Sequence, residues 1–202
     1  KRGARKALEL GSGPVLLFVG RIQPLKGADV AVRSLAELGR KDAVLLIVGG
    51  ASGTEGETEL AHVHSLIEEL GVEGQVRFVA PQPHHILSTY YRAADVVLVP
   101  SRSESFGLVA LEAAACGIPV VATAVGGLLN IIEDGRTGFL VPDRQPDIFA
   151  RHIATILDDP SVAANMSAQA AERAKAYTWS FAAARLRRAY TDLTSRDRVV
   201  CK

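Results

Sequence analysis

The chain has 202 residues, 48% of them hydrophobic, and a formal net charge of +1 at pH 7. This hydrophobic content excludes wholesale disorder, and the scattered lysines and arginines argue against a surface dedicated to nucleic acid. Two cysteines, Cys116 and Cys201, are too few for a disulfide framework, and no apolar run approaches the roughly 18 residues of a membrane helix, so we expect a cytoplasmic protein without a transmembrane segment.

Short apolar runs rich in β-branched residues alternate with helical patterns along most of the chain. Six strands are predicted, at 15–20, 43–50, 76–80, 96–100, 119–125 and 138–142. Continuously apolar runs are typical of parallel strands that helices cover on both faces. The alternation therefore predicts an α/β fold, a doubly wound parallel six-stranded Rossmann-like sheet.

From Asp147 onward the pattern is helical. The last stretch, TWSFAAARLRRAYTDLTS, carries an apolar stripe that includes Phe181, Leu186 and Tyr190. We expect residues 1–178 to form the main domain and residues 179–202 to form a C-terminal helix outside it.

Ligands of open α/β sheets bind beyond the carboxyl ends of the strands, so the segments that follow the strands are the candidates for a binding site. After the first strand comes GRIQPLKG, in which Gly20 permits a tight turn and Arg21 and Lys26 stand just before a helix. Two cations beside a helix N-terminus form a good phosphate site, although solvated surface charges explain the spacing equally well. Neither a Walker loop nor a dinucleotide fingerprint follows any strand, which counts against an NAD-binding domain.

The fourth strand is followed by SRSESFGLVALE. Glu104 lies in the loop at the strand end, and Gly107 falls in the first turn of the next helix, where a small residue allows a ligand to approach the backbone. The free N–H groups of Phe106, Gly107 and Leu108 are expected to face an anion.

Glu112 lies about two turns further along this helix, among almost exclusively apolar residues that predict a buried element. A carboxylate buried without a partner costs several kcal/mol. Its partner is either an internal arginine or lysine, or a ligand with two neighbouring hydroxyls such as a ribose. Gly126 and Gly127, after the fifth strand, indicate either a second close backbone approach or a plain turn.

Taken together, GRIQPLKG, ESFGLVALE, GIPVVATAVGG and DGRTGFLV resemble the donor-binding half of the family 4 retaining glycosyltransferases of GT-B architecture. The likeness runs from about Val15 to the last helix. Within the family, VGRIQPLKG, YYRAADVVLVPS and ESFGLVALEAAACGIPVVA are most similar to members that transfer GlcNAc from UDP-GlcNAc to inositol phosphate.

The resemblance implies a role for each matching position. Arg21 and Lys26 would neutralise the donor diphosphate, and Glu112 would hold the ribose hydroxyls. The donor sugar and the phosphates would contact Glu104 and the N–H groups of Ser105, Phe106, Gly107 and Leu108. The uracil would lie against the backbone from Val79 to Gln82. Arg21, Lys26 and Glu104 are thereby the implied catalytic residues.

The family likeness also implies what lies outside the chain. A nucleotide-sugar would be the donor substrate, with no catalytic metal or other cofactor, and a small molecule would be the acceptor. An N-terminal GT-B domain would complete the enzyme, and the last helix would cross toward it. Asn130 departs from the pattern, because many members have a glutamate there.

Three other interpretations remain at this point. The chain could be a non-catalytic nucleotide-binding module, or a related family 4 transferase that uses UDP-glucose or GDP-mannose. It could also be a Rossmann dehydrogenase domain, against which the missing fingerprint counts.

Overall fold

A computed structural model describes residues 1–195 and contains a six-stranded, fully parallel sheet. The strands are β1 (Val15–Val19), β2 (Val44–Val48), β3 (Val76–Val79), β4 (Val96–Val99), β5 (Val120–Thr123) and β6 (Gly138–Val141). Their spatial order is β3-β2-β1-β4-β5-β6, and every neighbouring pair is parallel. All six predicted strands and the predicted fold class are confirmed.

Helices follow the strands as the pattern predicts. They are α1 (Arg2–Ala7), α2 (Ala28–Leu38), α3 (Gly56–Leu70), α4 (His84–Ala93), α5 (Leu108–Ala115), α6 (Leu128–Ile131), α7 (Pro146–Asp158), α8 (Pro160–Ala174) and α9 (Trp179–Thr194). Cys201 lies outside the described residues, as does the end of the segment predicted as a C-terminal helix. Among the helices that are described, none combines the length and the hydropathy that crossing a membrane requires.

The sheet is buried on both faces because successive side chains of a strand point to opposite sides. In β1, Leu16 and Phe18 join a core with α2, α3 and α7, whereas Val15 and Leu17 join a second core with α4, α5 and α6. The continuously apolar strands thus pack against a helical layer on each face of the sheet. The loops at the strand ends lie outside both cores and can form a binding site.

The strand order reverses between β1 and β4, which are hydrogen-bonded neighbours in the sheet. The connection after β1 leads outward to β2, and the connection after β4 leads outward to β5 on the other side. Such a switch point opens a crevice at the carboxyl ends of the two strands. The segments GRIQPLKG and SRSESFG are the two that border this crevice.

Gly27 brings the start of α2 against the end of β4. Its φ is +80°, and a Cβ placed there would lie 2.4 Å from the Pro100 carbonyl oxygen. The Arg144 guanidinium closes the same junction, since Nε donates to the Pro100 carbonyl at 2.8 Å and Nη2 pairs with Asp29 Oδ1 at 3.0 Å. A glycine at position 27 is therefore what allows the residue before it, Lys26, to stand opposite the loop after β4.

Glu59, in the first turns of α3, is a buried carboxylate. Only 8% of the residue is exposed, and no group within residues 1–195 donates a hydrogen bond to its Oε1. Burial raises the pKa of the Glu59 carboxyl, and the nearby Asp29 carboxylate raises it further. The ionised form is therefore less stable in the folded chain than in the unfolded one.

Replacing Glu59 with glutamine should stabilise the protein at neutral pH. A raised folded pKa means that ionisation costs stability as the pH rises from the unfolded pKa through the folded pKa, so the neutral amide should increase the free energy of unfolding at pH 7. The gain should shrink as the pH falls and the wild-type carboxyl becomes protonated. Urea unfolding of both proteins at several pH values measures this, with the exposed Glu69→Gln as the matched control. A gain that grows in acid would contradict the expectation.

Candidate functional site

Lys26 and Glu104 face each other across the switch point. Lys26 Nζ lies 2.7 Å from Glu104 Oε2, and the two side chains are 23% and 16% exposed. Partial burial reduces screening by salt, so the pair is held more firmly than a surface ion pair. The lysine ammonium has three N–H donors, and two of them remain for a ligand.

The loop that follows Glu104 offers a row of backbone donors. The N–H groups from Ser105 to Leu108 donate no hydrogen bond to any residue of the described chain. Gly107, with a φ of +98°, is the N-cap of α5 rather than part of its first turn. The sequence prediction misplaced the helix start by one residue, but free donors beside an uncapped N-terminus remain suited to an anion.

Gly126 and Gly127 support this loop from behind. The Gly127 N–H donates to the Glu104 carbonyl at 2.8 Å. A Cβ on Gly127 would lie 2.3 Å from the Phe106 carbonyl oxygen, and one on Gly126 would lie 2.0 Å from that of Glu104. The close approach at these glycines is made by the chain itself, because the backbone that they contact is the loop carrying Glu104.

A cavity of about 390 Å³ opens at the ends of β1, β2 and β3, and Val19 in its wall also lines the small cavity at Lys26 and Glu104. Arg21, Gly20 and Gln82 line it, as do Pro81 and Leu87, so three of the predicted site residues meet here. Arg21 is exposed at the rim. The shape, with mostly apolar walls and a few polar groups, suits a flat organic ring with an anionic extension.

Val79 is placed differently from the other predicted base contacts. It does not line this cavity, and its carbonyl accepts a hydrogen bond from the Gly49 N–H at 2.9 Å. The Gln82 side-chain amide donates to the Ala80 carbonyl at 2.9 Å. Within the predicted 79–82 segment, Pro81 and Gln82 therefore form the cavity wall while Val79 holds the neighbouring loop.

Glu112 is less buried than its apolar helix suggested. Its side chain is 29% exposed, and Leu108 on the same helix is 59% exposed. The Tyr91 hydroxyl donates to Oε2 at 2.7 Å, and His84 Nδ1 lies 3.4 Å from Oε1. Among the described residues no arginine or lysine pairs with Glu112, so the internal cation that was one of its two possible partners does not occur there, and a phenol is its internal hydrogen-bond partner.

Sequence reasoning missed Tyr91 and His84. The His84 side chain is 87% exposed, and its Nδ1 lies 3.4 Å from Glu112 Oε1. Burial raises the pKa of the Tyr91 phenol, and its hydrogen bond to Glu112 raises it further, so the hydroxyl stays a donor. The spacing could have indicated that these two residues lie together. His84, Leu87 and Tyr91 are separated by three and four positions and so share one face of α4.

Asn130 is exposed on α6, and its carbonyl accepts from the Tyr177 hydroxyl at 2.8 Å, which ties the turn after α8 to α6. In the part of the chain that is described, no three histidine, cysteine or carboxylate side chains are grouped as metal ligands.

Comparison with known proteins identifies a family and several relatives. A family model described as glycosyl transferases group 1 matches residues 2–174. Among curated relatives, D-inositol 3-phosphate glycosyltransferase 2 of Catenulispora acidiphila is 47% identical over 98% of this chain and 47% of its own length. The counterpart from Kribbella flavida is 45% identical over 95% of this chain and 46% of its own. The chain thus spans about half the length of the curated relatives that it matches.

Solved structures share the fold at similar coverage. Sucrose-phosphate synthase from Thermosynechococcus elongatus superposes with a TM-score of 0.88 at 36% identity, over 96% of this chain and 49% of its own. HepE from Anabaena, solved in complex with UDP-glucose, superposes with a TM-score of 0.85 at 28% identity, over 96% of this chain and 52% of its own.

Replacing Gly127 with alanine should destabilise the protein. Its φ of −64° suits alanine, so the cost comes from the Cβ, which would lie within 2.5 Å of the Phe106 backbone. We expect a loss of about 1–3 kcal/mol in the free energy of unfolding, measured by urea denaturation. Gly74→Ala is the control, because nothing lies within 4 Å of a Cβ there. Equal effects of the two substitutions would show that the close contact carries no weight.

Proposed function

The chain belongs to the glycosyl transferases group 1 family, and from that premise we propose that it is the nucleotide-sugar donor-binding half of a glycosyltransferase. The observation that carries the proposal is the crevice at the switch point. There a lysine–glutamate pair, a row of free backbone N–H groups and a partly apolar cavity lie side by side. Such a set suits a molecule with a base, a pyrophosphate and a polyhydroxylated sugar.

The donor that we propose is a UDP-sugar, UDP-GlcNAc in particular, with an inositol phosphate as the acceptor. The names of the curated relatives support the acceptor, and the UDP and UDP-glucose complexes of HepE support the nucleotide. The likeness to a sucrose-phosphate synthase keeps UDP-glucose with a different acceptor as the second candidate.

Each part of the donor has a proposed partner. The base would enter the cavity beside Pro81 and Gln82, and the pentose would reach Glu112 on α5. Arg21 would approach the pyrophosphate from the cavity rim. Lys26 would donate to it while keeping its contact with Glu104, whose carboxylate would accept hydroxyls of the donor sugar.

The proposed chemistry is sugar transfer with retention of configuration. Negative charge grows on the departing diphosphate while the anomeric carbon becomes cation-like. Preorganised donors such as Lys26, Arg21 and the N–H groups before α5 would stabilise that charge, and a single well-placed donor is worth about 3–4 kcal/mol. The acceptor hydroxyl would attack from the face of the leaving group and pass its proton to the departing phosphate. In this scheme the chain's own cations supply the neutralising charge.

The rest of the enzyme would be an N-terminal domain that covers α9. Apolar side chains on this helix are exposed, with Trp179 at 91%, and a 590 Å³ apolar cavity lies between α9 and α5. The relatives are about twice as long as this chain. A second domain seated on this face would bury the apolar surface and complete the acceptor site. The cytoplasmic setting inferred from the cysteine content stays a prediction.

Calorimetric titration of UDP against the wild-type chain and Glu112→Gln tests the donor site. We expect UDP to bind, and the substitution to weaken binding by on the order of tenfold, because an amide accepts hydroxyl donors less strongly than a carboxylate. Glu69→Gln, an exposed change on α3, should leave affinity unaltered. Parallel titrations with UDP-GlcNAc, UDP-glucose, GDP-mannose and NAD identify the donor. Binding of NAD in place of UDP would reject the proposal.

The 202-residue chain is expected to bind UDP without transferring sugar, because it spans only about half the length of the glycosyltransferases that it matches. A coupled assay for UDP release from UDP-GlcNAc, with inositol phosphate as acceptor, measures this. The full-length Catenulispora acidiphila relative serves as the positive control. Turnover by the chain alone would overturn the expectation. A non-catalytic module would remain inactive even when it is joined to the N-terminal half of that relative.

A further inference from the structure

We propose that Tyr91 is a positioning residue that fixes the Glu112 carboxylate for the pentose of the donor and so gives the site its preference for ribonucleotides over deoxyribonucleotides. The inference rests on the proposed function and deepens it. It assigns a role to a core tyrosine that makes no contact with the cleft itself.

The hydrogen bond between Tyr91 and Glu112 connects a buried side chain with a partly exposed one. Tyr91 is 1% exposed and packs in the core between the sheet and helices α4 and α5, so its ring is held in one orientation. Its hydroxyl donates to Glu112 Oε2 at 2.7 Å, while the Glu112 side chain is 29% exposed. One carboxylate oxygen is therefore anchored by a buried group, whereas the other, Oε1, lies 3.4 Å from the exposed His84.

Anchoring matters because a glutamate carboxylate rotates freely. The terminal torsion of glutamate is broad, so an untethered carboxyl samples many orientations. A vicinal diol needs acceptor lone pairs at fixed positions, and holding them in place before binding removes an ordering cost. The phenol occupies one lone pair of Oε2 and leaves the remaining acceptor sites of the carboxylate to a ligand.

The placement of α4 supports this role. Leu87 on the same face lines the cavity proposed for the base, and His84 Nδ1 lies 3.4 Å from Glu112 Oε1. Tyr91 comes one turn after Leu87, so one helix face carries a cavity wall and the anchor of the carboxylate. A base in that cavity would contact Leu87. A pentose would bind Glu112, whose carboxylate is anchored by Tyr91, one turn further along α4.

A purely structural role is the alternative. The Tyr91–Glu112 hydrogen bond joins α4 to α5, and losing it would then lower stability without changing which nucleotide is preferred. Ligand discrimination separates the two roles, because a bond that only holds helices together has no reason to distinguish a ribose from a deoxyribose.

The test compares UDP with 2′-deoxy-UDP on the full 202-residue chain. Wild type should bind UDP on the order of tenfold more tightly, the worth of one charge-assisted hydrogen bond. Tyr91→Phe keeps the ring and removes the hydroxyl, and should bring this ratio close to one, as should Glu112→Gln. Tyr90→Phe is the matched control, since Tyr90 is also buried and its hydroxyl donates to no residue within the described part of the chain.

The outcomes separate the two levels of inference. If wild type binds UDP with a clear preference and Tyr91→Phe retains that preference, the positioning role is wrong and the donor site stands. If wild type binds no UDP, the proposed function fails and this inference fails with it. Adding Tyr91→Phe to Glu112→Gln should change the ratio no further, and an additional loss would show that Tyr91 acts independently of Glu112.

A second measurement covers the case in which Tyr91→Phe does not fold. The four tyrosines of the wild-type chain can be labelled with 3-fluorotyrosine, and the Tyr91 signal assigned by eliminating the other three with phenylalanine substitutions. UDP should shift the fluorine resonance of Tyr91 more than 2′-deoxy-UDP does. Equal shifts from both nucleotides would overturn the proposal.

Discussion

The arrangement of the candidate site depends on the ion pair between Lys26 and Glu104. It bridges the two loops that leave the sheet where the strand order reverses, and it exists only because both loops approach closely. Gly27 allows one approach, and Gly127 supports the other through the Glu104 carbonyl. Because neither glycine has a side chain, the two loops come close enough for the two opposite charges to pair.

The pairing has an electrostatic consequence for anion binding. Glu104 offsets much of the Lys26 charge, so the pair by itself attracts a pyrophosphate weakly. The remaining positive potential comes from exposed Arg21 and from the unpaired N–H groups before α5. On the proposed function this division is useful, because Glu104 can receive sugar hydroxyls while the other groups hold the phosphates.

The sequence predicted those features that depend on local pattern. Continuous apolar runs identified all six strands, and the rule for strand ends brought Arg21, Lys26 and Glu104 to one edge of the sheet. The partner of Glu112 was not predicted, because Tyr91 lies 21 residues earlier and meets it only through the packing of α4 on α5. The exposure of Leu108 was likewise hidden, since an apolar helix looks alike whether another domain covers it or not.

Glu112 shows how a fold keeps a reactive acceptor in an apolar setting. A lysine partner would neutralise the carboxylate and fill its lone pairs, whereas a buried phenol donates one hydrogen bond and leaves the charge intact. Burial also raises the pKa of that phenol, so it remains a donor. The carboxylate is therefore held in one orientation, and its partial exposure spares it the full cost of desolvation. A tyrosine serves this purpose better than a cation, because it orients the carboxylate without offsetting its negative charge.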